Sequence, residues 1–162
     1  RAAGATVIAI DINKERLAVA GQLGAAETID PTEVERLDRH VKALTGGGVD
    51  VAFEAIGTPT TMRSAYGLLR KGGRLCVIGY ATDELTISAA KLMYYELEVV
   101  GSLGCGGGEY HEIMKLVQSG DILLDPIVSG TLPLDDINDG FDRLRNGEGV
   151  RWVVTPGGTV GR

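Results

Sequence analysis

The sequence predicts an α/β fold built on a doubly wound, mostly parallel sheet, and three observations predict it. Short apolar runs alternate with helix-patterned segments along nearly the whole chain. The segments between runs are long enough for the crossovers that parallel neighbours require. Glycines punctuate the ends of the helical segments at Gly24, Gly46 to Gly48, Gly72 to Gly73 and Gly120.

Taken in order, Val7 to Ile10 reads as a strand, followed by a helix from Lys14 that closes before Gly24. Glu27 to Ile29 is a second, shorter strand. Thr32 is placed to cap a helix from Glu33 to Leu44, where Val34, Leu37, Val41 and Leu44 recur at helical spacing. Beyond the three glycines, Val49 to Glu54 reads as a strand and Thr60 to Leu69 as a helix stopping at Lys71-Gly72-Gly73. Arg74 to Gly79 is the next strand. Leu85 to Ile87 reads as a small strand, Ala89 to Tyr95 as a helix, Glu98 to Ser102 as a strand and Glu109 to Gln118 as a helix. With no repeat, low-complexity tract or Ser/Pro linker, residues 1–162 are expected to form one domain without an internal boundary.

Composition narrows the function. A chain of 162 residues buries roughly 68 to 70% of its unfolded surface and can hold a sizeable core. The net charge of −6 comes without any basic stripe able to neutralise successive phosphates, so no nucleic acid partner is expected. No apolar run approaches the ~18 residues of a membrane span, and Cys76 and Cys105 form no disulfide framework. The expected location is cytoplasmic.

In a doubly wound sheet, ligands sit beyond the carboxyl ends of the strands, where an acidic residue can accept hydrogen bonds from an adenosine ribose. Asp11, in VIAIDINKER, is placed for that. It is equally placed to cap the next helix, and local sequence leaves the two readings open. A ribose role selects the cofactor by charge: a 2′-phosphate about 4 Å away costs roughly 4 kcal/mol per charge pair at an effective dielectric of 20, less after screening. Arg16, five residues on, can reach the same ribose or stand as a solvated charge.

VIAIDINKERLAVAGQLGAAETID resembles the zinc-dependent alcohol dehydrogenase branch of the medium-chain dehydrogenase/reductase superfamily, in which a strand-ending acid, a basic residue five later and a GA-x-x-x-I box recur. VDVAFEAIG, GLLRKGGRLCVIGY, LEVVGSLG and PLDDINDGFDRLRNGEGVRWVVTP come after it in the family's order. The resemblance implies a Rossmann fold that binds NAD. By it, Asp11 and Arg16 match ribose-binding positions and Ala55, Ile56 and Gly57 match the adenine-side loop. Ile78, Gly79 and Tyr80 match the loop flanking the nicotinamide, with Ser102 and Leu103 lining the same pocket. Arg151 matches a residue that contacts the pyrophosphate, a target suited to a guanidinium. Glycine at 57 and 79 allows backbone to approach a planar ring closely, although strand-end turn geometry also explains it.

A complete fold of this kind begins with a strand and a G-x-G-x-x-G turn about 20 residues before the acid. Because the acid is Asp11, the sheet is expected to be truncated at its N-terminus, with that strand and turn upstream of Arg1. The resemblance also implies a catalytic GroES-like domain absent from the chain, and zinc in the intact enzyme held by ligands outside it. In alcohol dehydrogenase those ligands are two Cys and one His. Cys76 reads as core filler, Cys105 lacks a histidine neighbour, and His40 and His111 read as surface residues. No residue here is read as catalytic or metal-binding. The implied substrate is a small-molecule alcohol or carbonyl, and the implied assembly a homo-oligomer through the sheet edge at Leu97 to Leu103.

Two other classes compete. An S-adenosylmethionine-dependent methyltransferase also carries an acid after its second strand and a turn like LLRKGGRLCVIG, but its sheet ends in an antiparallel hairpin. The other is a non-catalytic nucleotide-binding or dimerisation module.

Overall fold

A computed structural model describes residues 1–157 of the chain. Among the described residues seven strands and six α-helices alternate: β1 (Ile8–Ile10), α1 (Lys14–Gln22), β2 (Glu27–Ile29), α2 (Leu37–Thr45), β3 (Val49–Glu54), α3 (Pro59–Leu68), β4 (Leu69–Val77), α4 (Ala89–Tyr94), β5 (Glu98–Gly101), α5 (Glu109–Gln118), β6 (Val128–Pro133), α6 (Ile137–Arg145) and β7 (Arg151–Thr155). Every strand pairing among the described residues is parallel, in three ladders: β1 with β2, β3 with β4 with β5, and β6 with β7. The α/β class read from the alternation is the class observed. No helix among the described residues is long and apolar enough to cross a membrane.

The chain divides into two compact units, Val34–Cys105 and a second made of Arg1–Glu33 with the segment from Gly106 onward. In the first, the β3–β4–β5 ladder carries a core of Ala52, Tyr66, Leu69, Leu75 and Leu97, with Ile87 and Leu92 packed against it. Leu75 is fully buried, which stabilises the unit by about 1.5 to 3 kcal/mol relative to exposure. Leu97 therefore belongs to the core, and the exposed β5 edge begins only at Glu98.

In the other unit, Trp152 of β7 organises the β6–β7 ladder. Its indole covers Gly130, where a Cβ would stand 2.6 Å from the ring. The Arg143 guanidinium lies 4.6 Å from the ring centroid, at cation–π distance.

Beyond shifts of one or two residues at element ends, four differences from the sequence prediction stand out. α2 starts at Leu37 rather than Glu33, because the Thr32 amide and hydroxyl both donate to Asp30 Oδ1, at 2.8 and 2.6 Å, and close a turn instead of a cap. Leu85 to Ile87 forms no strand; Ile87 packs on the core instead. β4 pairs from Leu69, with Val49 opposite Leu69 and Val51 opposite Arg74, so residues 70–73 bulge out of register. β6 carries a Gly and a Pro and lacks the alternation that marks a strand.

Candidate functional site

The residues singled out in the sequence fall on both units. In the unit Val34–Cys105, three of the predicted segments begin at one level of the ladder. Glu54 pairs with Val77 and Val77 with Gly101, and the next residues are Ala55–Gly57, Ile78–Tyr80 and Ser102–Leu103. Parallel strands ending in register place these loops side by side at the carboxyl edge, where such sheets bind ligands. The Ser102 amide continues the ladder by donating to the Val77 carbonyl at 3.0 Å. Ile56, Ile78, Tyr80 and Leu103 are exposed, Leu103 completely so, which gives this edge an uncovered apolar lining.

Glu54, a residue that sequence reasoning passes over, shapes two of these loops. It is the buried charged side chain among the described residues, 3% exposed. Its Oε1 accepts from the Ile56 and Gly57 amides, each at 2.9 Å, and from the Thr61 hydroxyl at 2.8 Å. Its backbone carbonyl accepts from the Ile78 and Gly79 amides at 2.8 and 2.9 Å. One residue thus fixes the first loop through its side chain and the second through its backbone. Oε2 is buried without a partner. The signal available in the sequence is a second strand-ending acid, in FEAIG, repeating the placement of Asp11.

The glycines in these loops are explained by packing of protein on protein. Gly57 has φ +89°, and a Cβ there would stand 2.2 Å from the Tyr80 carbonyl oxygen. A Cβ at Gly79 would stand 2.2 Å from the Gly57 nitrogen and 2.8 Å from Glu54 Oε2. Such distances admit only glycine, so strand-end geometry accounts for both residues without a ligand ring.

In the other unit, Asp11 comes directly after β1, its amide donating to the Ile29 carbonyl at 3.3 Å. The helix cap is Asn13, whose Oδ1 accepts from the Glu15 and Arg16 amides at 2.9 and 3.2 Å. Asp11 Oδ1 accepts from the Asn13 amide at 2.8 Å, while Oδ2 receives no hydrogen bond from the described residues. Asp11 therefore supports the cap without being it, and keeps a carboxylate oxygen available at a strand's carboxyl end. Arg16, half-buried in the first turn of α1, forms no side-chain ion pair among the described residues.

Asn13 Nδ2 donates to the Gly147 carbonyl at 3.0 Å, drawing the turn before β7 onto the start of α1. Arg151 opens β7, and its amide, like that of Val150, donates to Ser129 Oγ. Its side chain is exposed and joins no ion pair among the described residues. Arg151 thus stands at the amino end of its strand, unlike the other predicted residues that flank strands.

Among the described residues no group of three or more His, Cys, Asp or Glu side chains is placed to hold a metal ion. Cys76 is buried and Cys105 exposed.

A family described as zinc-binding dehydrogenase matches residues 1–119. The chain is 30% identical over 152 residues to the probable D-xylulose reductase A of Aspergillus niger, covering 91% of this chain and 42% of that protein. Solved structures similar to it include 2R,3R-butanediol dehydrogenase from Bacillus subtilis, at TM-score 0.87 and 30% identity, covering 96% of this chain and 45% of that one. The alcohol dehydrogenase of Aeropyrum pernix is similar at TM-score 0.82 and 35% identity, covering 94% and 43%. The chain spans about two fifths of the length of the curated relatives it matches.

Proposed function

We infer what this chain does from the family to which it belongs, the zinc-binding dehydrogenases: it is the NAD-binding part of an oxidoreductase acting on a small alcohol or carbonyl. The observation that carries this reading is Asp11, whose Oδ1 is engaged by Asn13 and whose Oδ2 is left for a ligand at the carboxyl end of β1. An adenosine ribose presents two hydroxyl donors to such an acceptor, and a 2′-phosphate meets the like charge of Asp11 there. On the same reading Arg16 assists at the ribose, Ala55–Gly57 lie along the adenine side, and Arg151 meets the pyrophosphate. Ile78–Tyr80, Ser102 and Leu103 flank the nicotinamide, and their exposed apolar side chains suit a planar ring.

When bound, the nicotinamide supplies the hydride acceptor or donor. This chain contributes position: the clamp at Glu54 fixes two loops before any ligand arrives, and pre-formed geometry removes part of the entropic cost of bringing reacting groups together. On the family reading, zinc in the intact enzyme would be held by ligands outside this chain, and no catalytic residue is assigned here. A second copy would pair at the exposed β5 edge, Glu98–Gly101, in a cytoplasmic oligomer; sedimentation of a monomer at high concentration overturns that part.

Against the methyltransferase alternative stands the uniformly parallel pairing of the described strands. The test is parallel titration with NADH, NADPH and S-adenosylmethionine. Trp152 excitation, with energy transfer to the reduced nicotinamide, tracks the first two; calorimetry tracks the third. Preference for NADH is expected. Preference for NADPH overturns Asp11 as selector, and binding of S-adenosylmethionine overturns the enzyme class.

A further inference from the structure

A cavity in the unit Val34–Cys105 lies at the other end of β4 from Ile78–Tyr80. It measures about 480 Å³, within the range of small-molecule sites, and is lined by Lys42, Arg70, Lys71 and Lys91 together with Leu69 and Tyr95. Four cations meet here in a chain whose net charge is −6, so the cluster does not arise from overall composition.

One of the four is neutralised. Arg70 pairs with Asp50 at 2.6 Å, while Lys42, Lys71 and Lys91 form no ion pair among the described residues. Asp38 lies near enough to act on Lys91 but is engaged by Arg36.

The lysines are not all free to swing away. Lys91 is half-buried, donates to the Tyr66 carbonyl at 3.2 Å and sits 4.7 Å from the centre of the Tyr66 ring. Burial pushes its ammonium below the ordinary lysine range, and the charge of Lys42 pushes the same way. Lys71 stands 5.7 and 5.6 Å from the Tyr94 and Tyr95 rings. Aromatic rings and a carbonyl thus hold two cations without cancelling their charge, which keeps them available to an anion.

We propose that this cavity binds a small polyanion carrying two or more phosphate charges, such as a diphosphate group. Several ammonium groups on different elements, α2, β4 and α4, match a ligand whose charge is spread over linked phosphates better than they match a single carboxylate. Lysine serves phosphate as a point charge rather than through a planar fork. A phosphate among these groups relieves the repulsion between Lys42 and Lys91. The site lies at the amino end of β4, so it is separate from the loops assigned to the cofactor.

The test is a nuclear magnetic resonance titration of this chain with inorganic pyrophosphate, with sulfate at matched ionic strength as control. Saturable shifts are expected at the amides of Lys42, Gly47, Lys71 and Lys91, with sulfate much weaker. Lys42→Gln, which removes an ammonium that holds nothing else in place, is expected to weaken binding roughly fivefold, while Lys91→Arg retains it. Equal response to sulfate, an unchanged affinity in Lys42→Gln, or shifts confined to residues near Asp11 and Arg151 would each overturn the proposal.

Discussion

Asn13 and Gly147, 134 positions apart, are joined by a 3.0 Å hydrogen bond from the Asn13 side-chain amide to the Gly147 carbonyl. The same side chain caps α1 through its oxygen, so one residue starts a helix and anchors a distant turn. Asn13→Asp keeps the cap and adds a charge favourable to a helix N-terminus, but removes the donor. Asn13→Ala removes both. Urea denaturation is expected to give a loss of about 1 to 3 kcal/mol for Ala and a clearly smaller one for Asp; equal losses would mean that the tie to Gly147 contributes nothing.

Replacing Glu54 with Leu leaves the Ile56 and Gly57 amides and the Thr61 hydroxyl without their acceptor, at a cost of roughly 3 kcal/mol or more. Glu54→Gln retains an acceptor at the Oε1 position and is expected to lose less. Hydrogen exchange read at Ile56 and Gly57 checks this directly: protection falls in the Leu variant and survives in the Gln variant.

Gly57→Ala forces a Cβ against the Tyr80 carbonyl at a backbone angle unfavourable to alanine, with an expected loss of more than ~1 kcal/mol. Gly72 also has a positive φ, +70°, but a Cβ there meets only the end of the Arg70 side chain, at 3.4 Å. Thermal melts of the two alanine variants are therefore expected to separate, with Gly57→Ala the lower.

The Asp30 carboxyl is held below its ordinary value of 3.8 by the Thr32 hydroxyl and amide. A depressed folded-state value means that this turn's contribution is complete above about pH 3.8 and fades as pH falls through the folded-state value. Thr32→Val removes the hydroxyl donor and is expected to move the Asp30 titration upward toward 3.8, monitored by carbon-detected resonance of the carboxyl; an unmoved titration would assign the depression to the amide alone.

On the proposed ribose role of Asp11, Asp11→Asn is expected to narrow the gap between NADH and NADPH by about tenfold, since that role includes a like-charge penalty on a 2′-phosphate. Ratios of the two dissociation constants, compared with those of the unmodified chain, check it.

The range of each interaction decides whether the sequence reveals it. β2, β3 and α5 are legible to the residue, since apolar runs and flanking glycines are local features. Asp11 is legible as a strand-ending acid, but its relation to the helix cap is not, because Asp and Asn two positions apart compete for the cap and only backbone geometry decides. The start of α2 is misplaced for a similar reason: Thr32 turns back to Asp30. Glu54 stays hidden because its backbone carbonyl is used by residues 78 and 79, which only the pairing of β3 with β4 brings near.

The interlock between Gly57 and residues 79–80 has a dynamic consequence. With each loop's backbone occupying the space of the other's missing side chain, neither can shift without displacing its neighbour, and the two form a single moving part. A spectroscopic label at Tyr80 should therefore report an event confined to Ile56, and substitutions in one loop should change the relaxation of the other.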